Sequence, residues 1–308
     1  MLIYISILSF VISGIALSVA EASVAAPFTS SIFDISCVPH LVREGRAALV
    51  TSFSIFKYIA MYSFIQFFGV LILYYGESSY SDWGFFMADL ILAFAFALAM
   101  TQSRTSLQLA RKCPFGRLSE PQTIINIFIQ LAVILVFQIV AFVVARSDAQ
   151  YKSPKAMGDI DFGFYYMSYE SYSVMSINFF QYIWAVFACY TSEPYLEPLY
   201  KNFWFVFTFV VNLALVITIT LAPATFINSI FVFPPVISTR LSLLIIALGF
   251  GNLIVLLAID WWTRKHHCFK RTDKNTKQEH KKAFKNVQSR LLEEKCWILN
   301  YTQESTFS

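Results

Sequence analysis

Residues Ala48–Tyr75 read ALVTSFSIFKYIAMYSFIQFFGVLILYY, with Lys57 the only charged side chain. About 20 consecutive apolar residues suffice to cross the hydrocarbon core of a bilayer as a helix. The stretch therefore reads as a membrane span with length to spare. Five blocks of the same kind follow: Gly84–Met100, Thr123–Ala145, Tyr172–Ala188, Phe203–Leu221 and Leu241–Ile259. Tyr172–Ala188 is the weakest, because serines, Asn178 and Gln181 interrupt it. The expected fold is all-α, a polytopic membrane bundle of six transmembrane helices.

Composition agrees. The 308 residues are 57% hydrophobic, 18% aromatic and only 14% charged. Soluble domains carry about a quarter charged residues, so a soluble enzyme, a nucleic-acid binder, a disulfide scaffold and a disordered tail are all excluded. Basic residues then set the expected topology, since cytoplasmic loops are enriched in Lys and Arg. The Thr101–Pro121 loop holds Arg104, Arg111, Lys112 and Arg117 against Glu120, while Gly76–Trp83 has Glu77 and Asp82 and no base. From Arg264 to Lys295 eleven bases face four acids. Six spans with both termini cytoplasmic satisfy this pattern. They also place all five cysteines (Cys37, Cys113, Cys189, Cys268 and Cys296) on the reducing side.

Three elements lie outside the bundle. Met1–Val19 reads as a signal peptide, a seventh span or a short apolar strand cut off from its domain, and nothing in its residues chooses among these. Lys281–Leu292, with Phe284, Val287, Leu291 and Leu292 among bases, has the amphipathic pattern of a segment lying on anionic lipid. His266-His267 sits in the same basic stretch and reads as a solvated face rather than a metal pair.

Motifs for covalent or nucleotide chemistry are missing from the sequence: no Walker loop and no G-x-G-x-x-G. The candidates for function are polar residues at membrane depth, which are costly there and so functional by default. Asp89 lies five residues past Gly84 in the second span. Tyr62 and Gln66, four apart, share one face of the first span. A short turn makes these spans antiparallel neighbours, bringing Asp89 close to that pair. Gln130, Gln138, Asn212 and Asn252 read as interhelical hydrogen-bond partners, Gly249 and Gly251 as points of close packing. Tyr74, Tyr75, Trp83, Tyr190, Trp204, Trp261 and Trp262 read as interface anchors.

From Gly14 onward the chain resembles the P-type ATPases, specifically the type V group. GIALSVAEASVAAPFTS (Gly14–Ser30) is similar to the end of that family's phosphorylation domain. CVPHLVREGRAALVTSFSIFKYIAMYSFIQF (Cys37–Phe67) resembles its stalk and fifth transmembrane helix. FFMADL resembles the sixth helix, SEPQTIINIFIQ the start of the seventh, LEPLYKNFWF the start of the ninth, and KKAFKNVQSRLLEE the C-terminal segment. Phe56-Lys57-Tyr58, Ala60, Tyr62-Ser63 and Gln66, followed by Asp89, match the polyamine-transporting branch rather than the helix-dislocase branch.

That resemblance implies a domain order of leader (1–13), phosphorylation-domain remnant and stalk (14–46), transmembrane bundle (47–262) and basic cytoplasmic tail (263–308). It implies a C-terminal portion of a pump that moves polyamines from the endolysosomal lumen to the cytosol. Asp89 would pair with an ammonium, Tyr62 would supply a cation–π face and Gln66 an acceptor. ATP and Mg would act in the complete protein, because DKTGT, GDGxND and the first four helices are not in this sequence. The implied partners are the bilayer, a polyamine or other organic cation, the N-terminal part of the ATPase, and anionic lipid at the tail. Two other readings stand beside it: a non-catalytic regulatory or binding membrane protein, and a seven-span receptor.

Overall fold

A computed structural model describes residues 37–106, 121–156, 160–161, 164–190, 194–221 and 229–265. The leader, most of the 14–46 segment, His266-His267 and the amphipathic tail lie outside the described residues. Packing divides the chain into two units, Met1–Ile259 and Asp260–Ser308. The first contains the bundle. Six helices are long and apolar enough to cross a membrane, and the protein is a multi-pass integral membrane protein. They are α1 (Cys37–Tyr75), α2 (Asp82–Thr101), α3 (Pro121–Arg146), α4 (Tyr169–Cys189), α5 (Phe203–Leu221) and α6 (Thr239–Lys265). We call the end where α1 begins basal and the end of the α1–α2 turn apical.

Helix α1 outruns its apolar block. Its 39 residues extend about 58 Å at 1.5 Å per residue, nearly twice the hydrocarbon thickness. It buries a single stripe, Ala47, Val50, Ser54, Tyr58, Met61, Ile65, Gly69 and Leu73, spaced three or four apart. The rest of its surface carries exposed Phe56, Ile59, Phe64, Phe67 and Leu71, the outward apolar face a lipid-facing helix needs.

The least apolar span is the central one. Helix α4 packs against α1, α3 and α5, and its Ser171, Ser173, Ser176, Asn178 and Gln181 are all buried. Away from water such groups must find protein partners, and several do. The Gln138 side-chain Nε2 of α3 shares its two N–H groups among Ile65 O of α1 at 3.0 Å, Asn178 Oδ1 at 2.9 Å and Gln181 Oε1 at 3.0 Å. Gln181 Nε2 returns a bond to Ile134 O of α3 at 3.1 Å. Tyr172 donates to Thr220 O of α5 at 2.7 Å, and Trp184 Nε1 to Gly249 O of α6 at 2.9 Å.

Other expectations divide. Gln138 joins helices as expected, but Asn212 turns back to Thr208 O on its own helix. Among the described residues neither amide atom of the buried Asn252 has a hydrogen-bond partner, and Gln130 Nε2 has none either. Gly249 is a true close approach, since a Cβ there would lie 2.8 Å from the Phe180 ring, whereas Gly251 faces only ordinary contact at 3.7 Å. Tyr190 is no interface anchor. It is 5% exposed and its hydroxyl donates to Glu197 O.

At the apical end the α1–α2 turn is bound into the α3–α4 connection. That connection carries a two-stranded antiparallel hairpin, β1 (Ile160–Asp161) with β2 (Phe164–Tyr165), a small addition to the expected all-α architecture. Tyr165 N donates to Glu77 O at 3.0 Å, and Ser79 N to Tyr165 O at 3.1 Å. Glu77 holds a left-handed φ of 58° to present that carbonyl, and its carboxylate pairs with Lys155 Nζ at 2.9 Å. In the first turn of α4, Glu170 is fully buried and accepts on Oε1 from Arg146 Nε at 3.3 Å and Tyr151 Oη at 2.7 Å. Arg146 also lies 4.3 Å from the Phe142 ring centroid. Burial, then the bond to Glu170, pushes the Tyr151 hydroxyl up to about 12, so it stays a donor at any physiological pH.

Two substitutions test this packing. Arg146→Ala leaves the buried Glu170 carboxylate without its cation, which is strongly destabilising for buried pairs. With the Arg end partly exposed, the expected loss is about 2 kcal/mol, read as a lower melting temperature in detergent and recovered in Arg146→Ala/Glu170→Gln. Gly69→Ala drives a Cβ against Asn178 Nδ2 and the Tyr80 hydroxyl. It should cost about 1–3 kcal/mol, while Gly251→Ala should leave melting unchanged or raise it slightly.

Candidate functional site

The second span departs from a regular helix where it carries its charge. Met87–Phe94 of α2 is π-helical, an i→i+5 geometry that is rare and concentrated at functional sites. Asp89 lies in this segment, about 10 Å along the helix from Asp82 at 1.5 Å per residue. Its carboxylate therefore sits at membrane depth, and it is exposed on the surface of the described bundle.

Tyr62 and Gln66 of α1 both reach it. The Tyr62 hydroxyl donates to Asp89 Oδ1, and Gln66 Nε2 donates to the same oxygen at 3.4 Å. Both donors fall on Oδ1, and Oδ2 makes no hydrogen bond within the described residues. Since the Gln66 amide nitrogen points at Asp89, its carbonyl oxygen is turned the other way. The structure thus brings Tyr62, Gln66 and Asp89 together. It gives Tyr62 a polar job, donation to the carboxylate, that the expected cation–π contact had not included. The Tyr62 ring also packs against Tyr182 of α4, with centroids 5.3 Å apart.

Behind this group lies a layer that the sequence left unremarked. A cavity of about 10 Å³, bounded by Gln66, Tyr80, Asn178 and Tyr182, is at the lower limit for one water molecule. Asn178 Nδ2 donates to the Tyr80 hydroxyl at 2.6 Å while its Oδ1 accepts from Gln138. A chain of polar contacts therefore runs from Gln138 through Asn178 and Tyr80 to the cavity that Gln66 borders. Asn178 read in the sequence as a flaw in a weak span. The signal that could have found it was that same flaw, an amide in a segment otherwise apolar enough to span. Lys57, one turn basal to Tyr62, is half-buried. Among the described residues no group of three or more His, Cys, Asp or Glu is placed to hold a metal ion.

The arrangement is suited to an organic cation. It offers one carboxylate oxygen already fixed by two donors, a second oxygen open, an amide carbonyl and two aromatic rings.

No family model matches the chain. The curated relatives are consistent with one another. The vacuolar cation-transporting ATPase YPK9 of Saccharomyces cerevisiae is 33% identical over 262 residues, covering 84% of this chain and 18% of that protein. The human polyamine-transporting ATPase 13A3 is 33% identical over 271 residues, 81% of this chain and 22% of its own length. The mouse polyamine-transporting ATPase 13A2 is 36% identical over 193 residues, 61% of this chain and 16% of that protein. The chain thus spans about a fifth of the length of the curated relatives it matches. With six membrane helices and homology over most of its length, the chain belongs with the type V P-type ATPases, as part of the membrane portion of such a protein.

Proposed function

We propose that this chain is the C-terminal membrane portion of a polyamine-transporting pump and that Asp89, Tyr62 and Gln66 form part of its substrate path. The observation that carries the reading is the Asp89 carboxylate, exposed at membrane depth with one oxygen fixed and the other open. A charged group in hydrocarbon requires a counter-charge or a water-filled path. A polyamine supplies ammonium groups separated by flexible methylene runs. One ammonium pairs with Asp89 Oδ2, the Gln66 carbonyl accepts from the N–H of another, and the Tyr62 and Tyr182 rings border the methylenes between them. Relatives named as polyamine- and cation-transporting ATPases support this choice of cargo.

In this reading the basal end is cytoplasmic. The protein resides in the late endosomal or lysosomal membrane with both termini in the cytosol. Movement runs from lumen to cytosol. Energy comes from ATP and Mg at phosphorylation and nucleotide domains in the remainder of the pump, and reaches the site through the basal extension of α1. The basic tail rests on anionic lipid.

Asp89→Asn keeps both donors near an oxygen but removes the charge. In the complete pump it should lower polyamine-stimulated ATPase activity about tenfold or more, the value of one charge-assisted hydrogen bond. Undiminished stimulation would take Asp89 out of the path. Tyr62 separates two contributions. Tyr62→Phe removes the hydroxyl and keeps the ring, whereas Tyr62→Leu removes both. If fixing the carboxylate is what matters, both variants raise the half-saturating polyamine concentration alike. If the ring contributes, Leu raises it further than Phe. Wild-type values in both would return Tyr62 to helix packing.

A further inference from the structure

At the basal end, far from Asp89, the connection between α2 and α3 meets the connection between α4 and α5. Glu197 N donates to Arg104 O and Ser106 N to Tyr195 O, both at 3.0 Å, with Thr105 bridging antiparallel to Leu196. Asn202 locks the corner: its Nδ2 donates to Ala99 O of α2 at 2.9 Å while its Oδ1 caps α5 by accepting from Phe205 N at 3.2 Å. These contacts frame a cleft of about 280 Å³ whose charged lining is Arg104, Lys201 and Glu197, with Phe203 and Trp204 at its rim. The volume is at the lower end of small-ligand sites.

The charges in this cleft are unspent. Among the described residues neither Arg104 nor Lys201 has an ion-pair partner, and Glu197 has none. The cleft also opens at the start of α5, where the first N–H groups have no intrahelical acceptor and the helix dipole favours an anion. Asn202 takes Phe205 N and Val206 N, leaving those of Phe203 and Trp204 at the rim. Its depth is fixed too. Trp204 is 59% exposed where the span begins, the headgroup level that tryptophan prefers. Beyond it the outward face of α5 carries exposed Phe207, Val210 and Val211.

We propose that this cleft binds the headgroup of one aminophospholipid, its phosphate on Arg104 and Lys201 and its primary ammonium on Glu197, with acyl chains lying along α5. Two cations and one acid in one framed recess match a phosphate and an amine on one molecule. A purely anionic ligand would leave Glu197 opposed to it. The contact reaches α1 as well, since Thr105 Oγ1 donates to Glu44 Oε1 at 2.9 Å, so an occupied cleft braces the basal extension of α1.

The test uses the full 308-residue chain, delipidated in detergent and titrated with dioctanoyl phosphatidylserine, phosphatidylethanolamine and phosphatidylglycerol under native mass spectrometry. The expected result is one saturable phosphatidylserine, weakened about tenfold or more in Arg104→Gln/Lys201→Gln, the scale of losing charge-assisted hydrogen bonds. Glu197→Gln should weaken phosphatidylserine and phosphatidylethanolamine while leaving phosphatidylglycerol unchanged or tighter. All of these positions are at the surface or half-buried, and unchanged melting temperatures confirm folding. The basic tail is intact throughout, so lipid held there contributes equally to every variant. Equal phosphatidylserine affinity in the double variant overturns the proposal. So does displacement of the lipid by millimolar inorganic phosphate alone, which would make the cleft a free-anion site. Asp89→Asn should not alter any of these affinities, which keeps this result separate from the fate of the polyamine reading.

Discussion

One side-chain amide, that of Gln138, holds three helices together at a depth where no water competes for its hydrogen bonds. Its bonds to Ile65 O, Asn178 and Gln181 fix how α1 is rotated against α3 and α4. The consequence for the site is geometric. At about 100° per residue, with Ile65 turned inward, Gln66 lies about 100° to one side and Tyr62 about 60° in the same sense. Both emerge at the edge of the buried stripe, on the side where α2 runs. Because the two lie only about 40° apart, a rotation of α1 by one residue would turn both toward the core or both into lipid. The pair that reaches Asp89 is therefore held in place by an amide that touches neither of them.

Much of the bundle was legible because membrane helices advertise themselves. Phe203–Leu221 is the same helix in sequence and structure, and the other blocks differ mainly in their ends. What hydropathy could not rank was position within the bundle. Tyr172–Ala188 looked like the poorest span for the reason that makes it central. A helix surrounded by other helices can carry serine, Asn178 and Gln181, since protein rather than lipid meets them. The basal overrun of α1, Cys37–Ala47, was reached by the likeness to a stalk and not by hydropathy, for the opposite reason. It is charged and polar, so an apolarity criterion stops where the membrane stops, while the backbone remains helical.

Spacing and adjacency in the sequence sufficed to group Tyr62, Gln66 and Asp89, because four residues make one helical turn and a short turn makes neighbours. The details depended on facts with no local signature. MADLILAF has nothing in it that announces a π segment, yet that segment sets the direction of the Asp89 side chain. Tyr80 lies in the α1–α2 turn, and Asn178 is far along the chain, so their bond beside Gly69 is a product of tertiary packing alone. The same blindness explains the errors. Gly251 has the same composition as Gly249 but looks onto ordinary contact distance, and Tyr190 has an interfacial position in the chain but is buried against Glu197 O.

The two sides of the candidate site are anchored to different parts of the bundle. Helix α1 is tied to α3 and α4 through Gln138. The basal end of α2 is instead tied to α5, through Asn202 on Ala99 O and the Phe96–Phe205 ring contact at 6.0 Å. Tyr62 and Gln66 belong to the first anchored set, whereas the Met87–Phe94 segment that carries Asp89 packs against α4 and is tied to α5 only at its basal end. A displacement of α1 along or around its axis alters the number of donors at Asp89 Oδ1 and strains the Gln138 bond to Ile65 O at the same time. Fewer donors leave more negative charge for a cation, and more donors leave less. In the proposed pump the force that produces such a displacement enters through the long basal arm of α1, the longest of the six spans among the described residues. Affinity for the passenger would then follow the position of one helix, with no need for the bundle as a whole to repack.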